Sequence, residues 1–132
     1  MMRVAISARR YGAHCPNMTS ESEFVTATDR TLATIGNALD AAVEESDAEI
    51  DWTQNDGILE IECADGSKLI VNRHLPNREI WVAARTGGFH FAAVDGLWRD
   101  SRSSDELGSV LTRLLRDQAG IELTLPPLGA PR

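Results

Sequence analysis

The sequence predicts an α+β fold in two layers, with two helices packed on one face of an antiparallel sheet of about six strands. Three observations carry that expectation. An amphipathic helical pattern stands near each end of the chain, at 20–45 and 103–119. Between them the apolar residues alternate in short runs, the period of strands whose side chains face opposite sides. Three Asp-Gly pairs, Asp56-Gly57, Asp65-Gly66 and Asp95-Gly96, punctuate those runs, and Asp-Gly between alternating segments is a strong hairpin signal.

Taken in order, the first helix opens on a capping box, Ser20-x-x-Glu23, in which each residue satisfies a backbone N–H of the other. Phe24, Thr28, Leu32, Ile35, Leu39 and Val43 follow at three- and four-residue intervals and form one apolar stripe. The strands are expected at 49–54, 58–63, 67–73, 79–85, 89–94 and 97–100, joined by turns short enough to force antiparallel pairing. The segment from Lys68 to Phe91 organises the rest. Leu69 and Val71 alternate with Ile70 and Asn72. After a turn at Leu75-Pro76-Asn77, Ile80 and Val82 take one face and Trp81 the other, and Gly87-Gly88 is expected to make the next hairpin. Trp81 is therefore expected on the open face of the sheet. A large aromatic there fits a binding surface, although single exposed apolar residues are common. Ser103-x-x-Glu106 reads as a second capping box, and Leu107, Val110, Leu111 and Leu114, with Gln118, mark a second helix ended by Gly120. The Pro126-Pro127 tail is expected to lie along the surface or trail off. The expected organisation is an upstream extension over 1–17, a domain over 18–125 and a tail over 126–132.

At 132 residues with 42% hydrophobic and 25% charged residues, the composition is that of one globular domain. No apolar run approaches the roughly 20 residues of a membrane span. Cys15 and Cys63 have no CxxC spacing, and Cys63 reads as a small buried hydrophobe in a reducing compartment. The net charge is −7, yet residues 1–17 contain Arg3, Arg9 and Arg10 and no acid. That stretch admits two readings, a targeting peptide or an extension upstream of a natural start at Met18. From Glu21 to Glu62 there are twelve acids and one base, Arg30. Such a surface repels nucleic acid and anionic membranes and attracts cations or a basic protein; most charge runs, however, are solvated faces.

Enzyme signatures are missing from the sequence. It has no phosphate-cradling glycine loop, no GxSxG elbow and no HExxH helix. His14, His74 and His90 are scattered; His74 is expected to be exposed in a turn and His90 to be structural. Asp47-x-Glu49-x-Asp51 fails as a calcium loop, with Trp52 where glycine is needed and Ile58 where the terminal Glu belongs. What remains is a band of carboxylates, oxygen ligands suited to Mg²⁺, Ca²⁺, Mn²⁺ or iron. Single carboxylates on a helix face and a strand edge enclose no ion, so binding is expected to be weak and water-rich.

The run Asn72-Arg73-x-x-Pro76-x-x-x-Ile80-Trp81-x-Ala83 is similar to a motif of the frataxin family, in its bacterial CyaY branch. Ser22-Glu23-Phe24, Asp56-Gly57-Ile58-Leu59, Asp65-Gly66-Ser67-Lys68, Gly87-Gly88-x-His90-Phe91, Trp98 and Asp100-x-Arg102-Ser103 extend the resemblance over 19–125. It implies an α-β sandwich that binds Fe²⁺ or Fe³⁺ weakly through an acidic ridge, with other divalent cations able to substitute. It also implies docking on the cysteine desulfurase and scaffold of iron–sulfur cluster assembly as a non-enzymatic regulator, either activating or inhibiting. Carried over by position, the ridge is Glu23, Asp40, Glu44, Glu45, Asp47, Glu49 and Asp51. The partner surface is Trp81 with Asn72, Arg73 and His74. The resemblance further implies a monomer that oligomerises with excess iron, in the bacterial cytoplasm, or in a mitochondrion if residues 1–17 are a targeting peptide.

Two departures stand out. Gly36-Asn37 replaces an acidic pair often found in family helices, at a helix cost of about 1 kcal/mol for the glycine relative to alanine. His74 stands where the family usually has glutamine. A ferroxidase or storage role is the alternative; it would want a preorganised di-iron site with Glu-x-x-His pairs, and the sequence has none. A third reading is an acidic interaction domain whose metal binding is incidental.

Overall fold

A computed structural model describes residues 20–47 and 49–131, so the expectations for residues 1–17 lie outside the described residues. The element order is α1 (Glu21–Ser46), β1 (Asp51–Asn55), β2 (Ile58–Glu62), β3 (Lys68–His74), β4 (Glu79–Ala84), β5 (Gly87–Val94), β6 (Leu97–Asp100) and α2 (Leu107–Leu114). A π-helical turn, Leu115–Ala119, extends α2 to Gly120, which caps it at φ 70°. The six strands form one antiparallel sheet in sequence order. Both helices cover one face of it, the two-layer sandwich expected from the pattern. No helix among the described residues is long and apolar enough to cross a membrane.

The core lies between the layers. Phe24, Leu32, Ile35 and Leu39 of α1 meet Leu59, Ile61, Leu69, Val71, Ile80, Val82 and Phe91 of the sheet, all at most 2% exposed. Trp98 is fully buried, edge-on to Phe24 at 6.0 Å between centroids. Its indole N–H donates to Thr31 Oγ1 at 3.1 Å, which accounts for the burial of that threonine beside the apolar stripe. The Asp56-Gly57 and Asp95-Gly96 turns both place both residues at positive φ, the geometry that lets a two-residue loop follow the strand twist.

Several local expectations shift. Strand β1 begins at Asp51, opposite Glu62, because β2 turns away after Glu62 and leaves Glu49 nothing to pair with. Arg85 and Thr86 form the β4–β5 loop, while Gly87 and Gly88 pair within β5. The residue capping α2 is Glu106 and not Ser103, whose hydroxyl binds Asp100 Oδ2 instead. The Glu106 carboxylate accepts from Gly108, Ser109 and Leu128 backbone N–H groups at 2.7, 3.1 and 2.8 Å, which compensates its burial. Through Leu128 the tail is drawn into the fold: Leu125 and Leu128 are buried and Gly129 bridges to Leu97. Gly108 makes that approach possible, since a Cβ there would lie 2.4 Å from the Pro126 carbonyl oxygen.

Candidate functional site

Two surfaces collect the residues singled out in the sequence. The first is the edge where α1 ends and β1 begins. Asp40, Glu44, Glu45 and Asp47 occupy the last turns and cap of α1, and Glu49 and Asp51 lead into β1; all six are exposed. Asp47 closes the helix in the left-handed conformation at φ 54°, which short acidic side chains tolerate. The last turn of α1 has no basic residue, so the carboxylates face the negative end of the helix dipole without compensation. None of the six makes an ion pair among the described residues. Acids elsewhere do: Asp29 and Asp56 with Arg73, Glu60 with Lys68, Asp65 with Arg85, and Asp117 with Arg116.

Asp40 has a partner of another kind. The Trp52 indole N–H donates to its Oδ1 at 2.9 Å. The indole lies against Gly36, where a Cβ would come within 2.8 Å of Trp52 Cη2. The glycine that weakens α1 is thus the socket for a tryptophan reaching over from the edge strand. Glu23 is separated from this group. It lies 17 residues before Asp40, about 25 Å along the helix axis. There it closes the capping box, accepting from Ser20 N–H at 3.1 Å while Ser20 Oγ accepts from its own N–H at 3.1 Å. The Ser20 backbone N–H first, and then the Ser20 hydroxyl, hold its carboxyl below the usual glutamate range. Among the described residues no three His, Cys, Asp or Glu side chains are placed to grip one ion together.

The second surface is the open face of the sheet. Register aligns Asn55, Ile58, Asn72, Trp81 and His90 in one row across β1 to β5. The Trp81 ring is stacked on both sides. His74 lies 3.7 Å away between centroids and 7° from parallel, and His90 lies 4.4 Å away at 16°. Trp81 Nε1–H donates to Glu79 Oε1 at 2.8 Å, which fixes the rotation of the indole. His74 is half-buried rather than exposed, and its Nδ1 is enclosed without a partner among the described residues. Ile58 at the end of the row is 44% exposed. The composition of this stack was present in the sequence, but only the strand register reveals that the three rings meet.

Arg73 does not join that surface. Alternation along β3 turns it to the helix side, where its guanidinium reaches Asp29 of α1 at 2.7 Å and the Asp56 carboxylate at 3.8 Å. It packs over Gly57, where a Cβ would lie 2.8 Å from it. Arg73 therefore ties α1 to the β1–β2 turn.

A two-layer sandwich with an acidic edge on the helix side, without an ion pair among the described residues, and an aromatic row on the opposite sheet face has the architecture of a frataxin-type domain. Comparison with known proteins agrees: a model of the frataxin-like domain matches residues 17–121. The iron-sulfur cluster assembly protein CyaY of Ralstonia pickettii (strain 12J) is 43% identical over 107 residues, covering 80% of this chain and 94% of that protein. Frataxin from Psychromonas ingrahamii superposes with a TM-score of 0.68 at 30% identity, over 80% of this chain and 97% of its own. Trimeric yeast frataxin, from Saccharomyces cerevisiae and complexed with ferrous iron, shares the fold at a TM-score of 0.63 and 21% identity, over 85% of this chain and 92% of its own. This chain belongs to the frataxin family, in its bacterial CyaY branch.

Proposed function

We propose that the chain is a non-catalytic, iron-binding regulator of iron–sulfur cluster assembly, acting in the bacterial cytoplasm. Its ridge of Asp40, Glu44, Glu45, Asp47, Glu49 and Asp51 takes up Fe²⁺ or Fe³⁺ weakly and exchangeably. Other divalent cations compete, because oxygen ligands without an enclosing cavity select little beyond charge. The observation that carries this reading is the concentration on one edge of six exposed carboxylates without an ion pair among the described residues, whereas Asp29, Glu60 and Asp65 are each paired with a base. The relatives named as iron-sulfur cluster assembly proteins support the setting. In that setting the ridge steers the domain toward a basic patch of the cysteine desulfurase, and Trp81, with Asn72 and His74, anchors it on the desulfurase–scaffold complex. The domain works as a monomer and associates further only with excess iron.

Titrating Fe²⁺ anaerobically into isotopically labelled protein tests the metal half. Amide shifts should centre on Asp40, Glu44, Asp47 and Asp51 and leave α2 unmoved. Shifts centred on His74 or His90 would sink it. Saturable oxygen uptake that one ridge substitution destroys would replace the regulator by a ferroxidase.

A further inference from the structure

Arg30 is the one base among the acids from Glu21 to Glu62, and neither the acidic edge nor the open face uses it. It makes no ion pair among the described residues, and the acid beside it, Asp29, is taken by Arg73 at 2.7 Å. Arg30 lines instead a cleft of about 530 Å³ between the first half of α1 and the tail drawn in by Glu106. Glu23, Thr26, Ala27, Arg30, Thr31 and Thr34 line it at three- and four-residue spacing, so one face of the helix forms one wall. The chain from Pro126 to Pro131 forms the other.

The cleft carries opposite charges at two points. Glu23 and Arg30 are seven residues apart, nearly two turns, which sets them on the same side of α1 and about 10 Å apart along its axis. Glu23 also has no ion pair among the described residues; the Ser20 N–H uses its Oε1 and leaves Oε2. Between the two charges the helix wall is threonine and alanine, which accept apolar and hydrogen-bonding groups alike. The tail wall is poor in donors. Pro126, Pro127 and Pro131 have no N–H, that of Leu128 goes to Glu106, and that of Ala130 goes to the Gly96 carbonyl. Arg30 is therefore the charged donor of the cleft and Glu23 its charged acceptor.

We propose that this cleft binds a short extended peptide with free ends, its carboxylate on Arg30 and its ammonium toward Glu23. At about 3.3 Å per residue, roughly three residues span the distance between the two side chains. The guanidinium suits a carboxylate because it can offer two parallel N–H groups to the two oxygens. Overall charge decides against a simple anion: a chain at −7 repels one, whereas a zwitterionic peptide brings no net charge. The volume of the cleft falls within the range of small-ligand sites, about 300–1,000 Å³. Nothing in this site is shared with the acidic edge or the open face, so it stands or falls independently of the proposed function.

The probe is trialanine with free ends, titrated into the isotopically labelled full chain at physiological ionic strength. Amides of Thr26, Ala27, Arg30 and Gly129 should shift, while those of Glu44 and Asp51 and the Trp81 indole stay in place. Affinity should be of millimolar order, since an open cleft leaves little surplus over the cost of ordering a flexible ligand. Trialanine amide and N-acetyl-trialanine each lack one charge, and each should bind about 2- to 5-fold more weakly, the worth of an exposed ion pair. Arg30→Gln changes an exposed side chain outside the core, so the fold should survive, and the variant should bind trialanine and its amide equally. Acetate at the same concentration should move none of these amides. The proposal is overturned if free trialanine shifts no cleft amide, or if both capped peptides bind as tightly as the free one. It is equally overturned if Arg30→Gln keeps the preference for a free carboxylate, or if acetate alone reproduces the shifts, which would make Arg30 a simple anion site.

Discussion

Along the edge made by the end of α1 and β1, six carboxylates stand in water without an ion pair among the described residues, whereas on the open face three rings are stacked at 3.7 and 4.4 Å and an indole N–H is tied to Glu79. The edge acts through summed charge. Its field reaches roughly a Debye length, about 8–10 Å at physiological salt, and depends little on the rotamer of any one acid. The face acts through contact. Each stacked aromatic pair contributes about 0.5–1.5 kcal/mol beyond area burial, and only while the rings keep their geometry. Under the proposed function, one domain would then offer a partner a salt-sensitive encounter and a salt-insensitive anchor.

Trp81→Ala should separate them most sharply. On the desulfurase–scaffold complex it should speed dissociation about 30-fold, the equivalent of about 2 kcal/mol for a hot-spot residue. The salt dependence of association should stay as in the parent. Folding should survive, because the ring sits on the open face and not between the layers. A change in salt slope, or loss of the folded spectrum, would mean that anchor and core are not distinct. The reverse experiment replaces Asp40, Glu44 and Asp47 with lysine. Association measured by stopped flow should slow about 10-fold at low salt and lose most of its salt dependence, with dissociation little changed. An altered off-rate would show that the edge makes contact as well as steering.

The two regions also differ in how far the sequence reveals them. The acidic edge is legible because charge needs no register: Asp40, Glu44 and Asp47 are neighbours on α1 by helical spacing alone. Glu23 is assigned to the ridge by resemblance, and a carry-over by position does not register the 25 Å or so of helix between it and Asp40. The open face was legible for Trp81, whose side follows from alternation with Ile80 and Val82. It was illegible for His74 and His90, because stacking depends on which residues of β3 and β5 lie across from Trp81, and that follows from loop lengths. The glycine pair in Gly87-Gly88 drew the β4–β5 turn two residues too far along the chain. Arg73 and the tail show a second limit. An arginine beside a partner motif and a proline-rich terminus both look like surface. Their fates were decided by single distant groups, Asp29 for the one and the Glu106 carboxylate for the other.

Gly36→Ala sharpens the comparison from within the edge. On helix propensity the change should stabilise by about 1 kcal/mol. In this fold the new Cβ meets the indole at 2.8 Å, so the indole must leave Asp40 or the helix must lift from β1. We expect a net destabilisation of about 1 kcal/mol by denaturant titration, the overpacking cost exceeding the propensity gain. In a Trp52→Ala background the same change should stabilise, by up to about 1 kcal/mol. Stabilisation in both backgrounds would show that the indole is not seated in the glycine socket, leaving the edge an unstructured band of charge.

Glu23 gives the smallest effect, and it marks where the edge stops. Its carboxyl is held below the usual range, chiefly by the Ser20 backbone N–H and then by the Ser20 side chain. The folded state thus favours the ionised form, and the linked stability is present above the unfolded-state value. It is lost as the pH falls through the depressed folded value. Glu23→Gln can still accept the Ser20 hydrogen bond but cannot ionise. The parent should therefore be slightly the more stable at neutral pH, and the two melting curves should converge in acid. Because the group is exposed, the difference is small, and moderate salt should reduce it without abolishing it, since part of it is a hydrogen bond. The same titration distinguishes cap from ridge. Divalent cation that moves the amides around Asp40 and Glu44 should leave those of Ser20 and Glu23 in place. If the Ser20 amide shifts in step with Asp40, Glu23 belongs to the ridge after all, and the acidic edge runs the full length of α1.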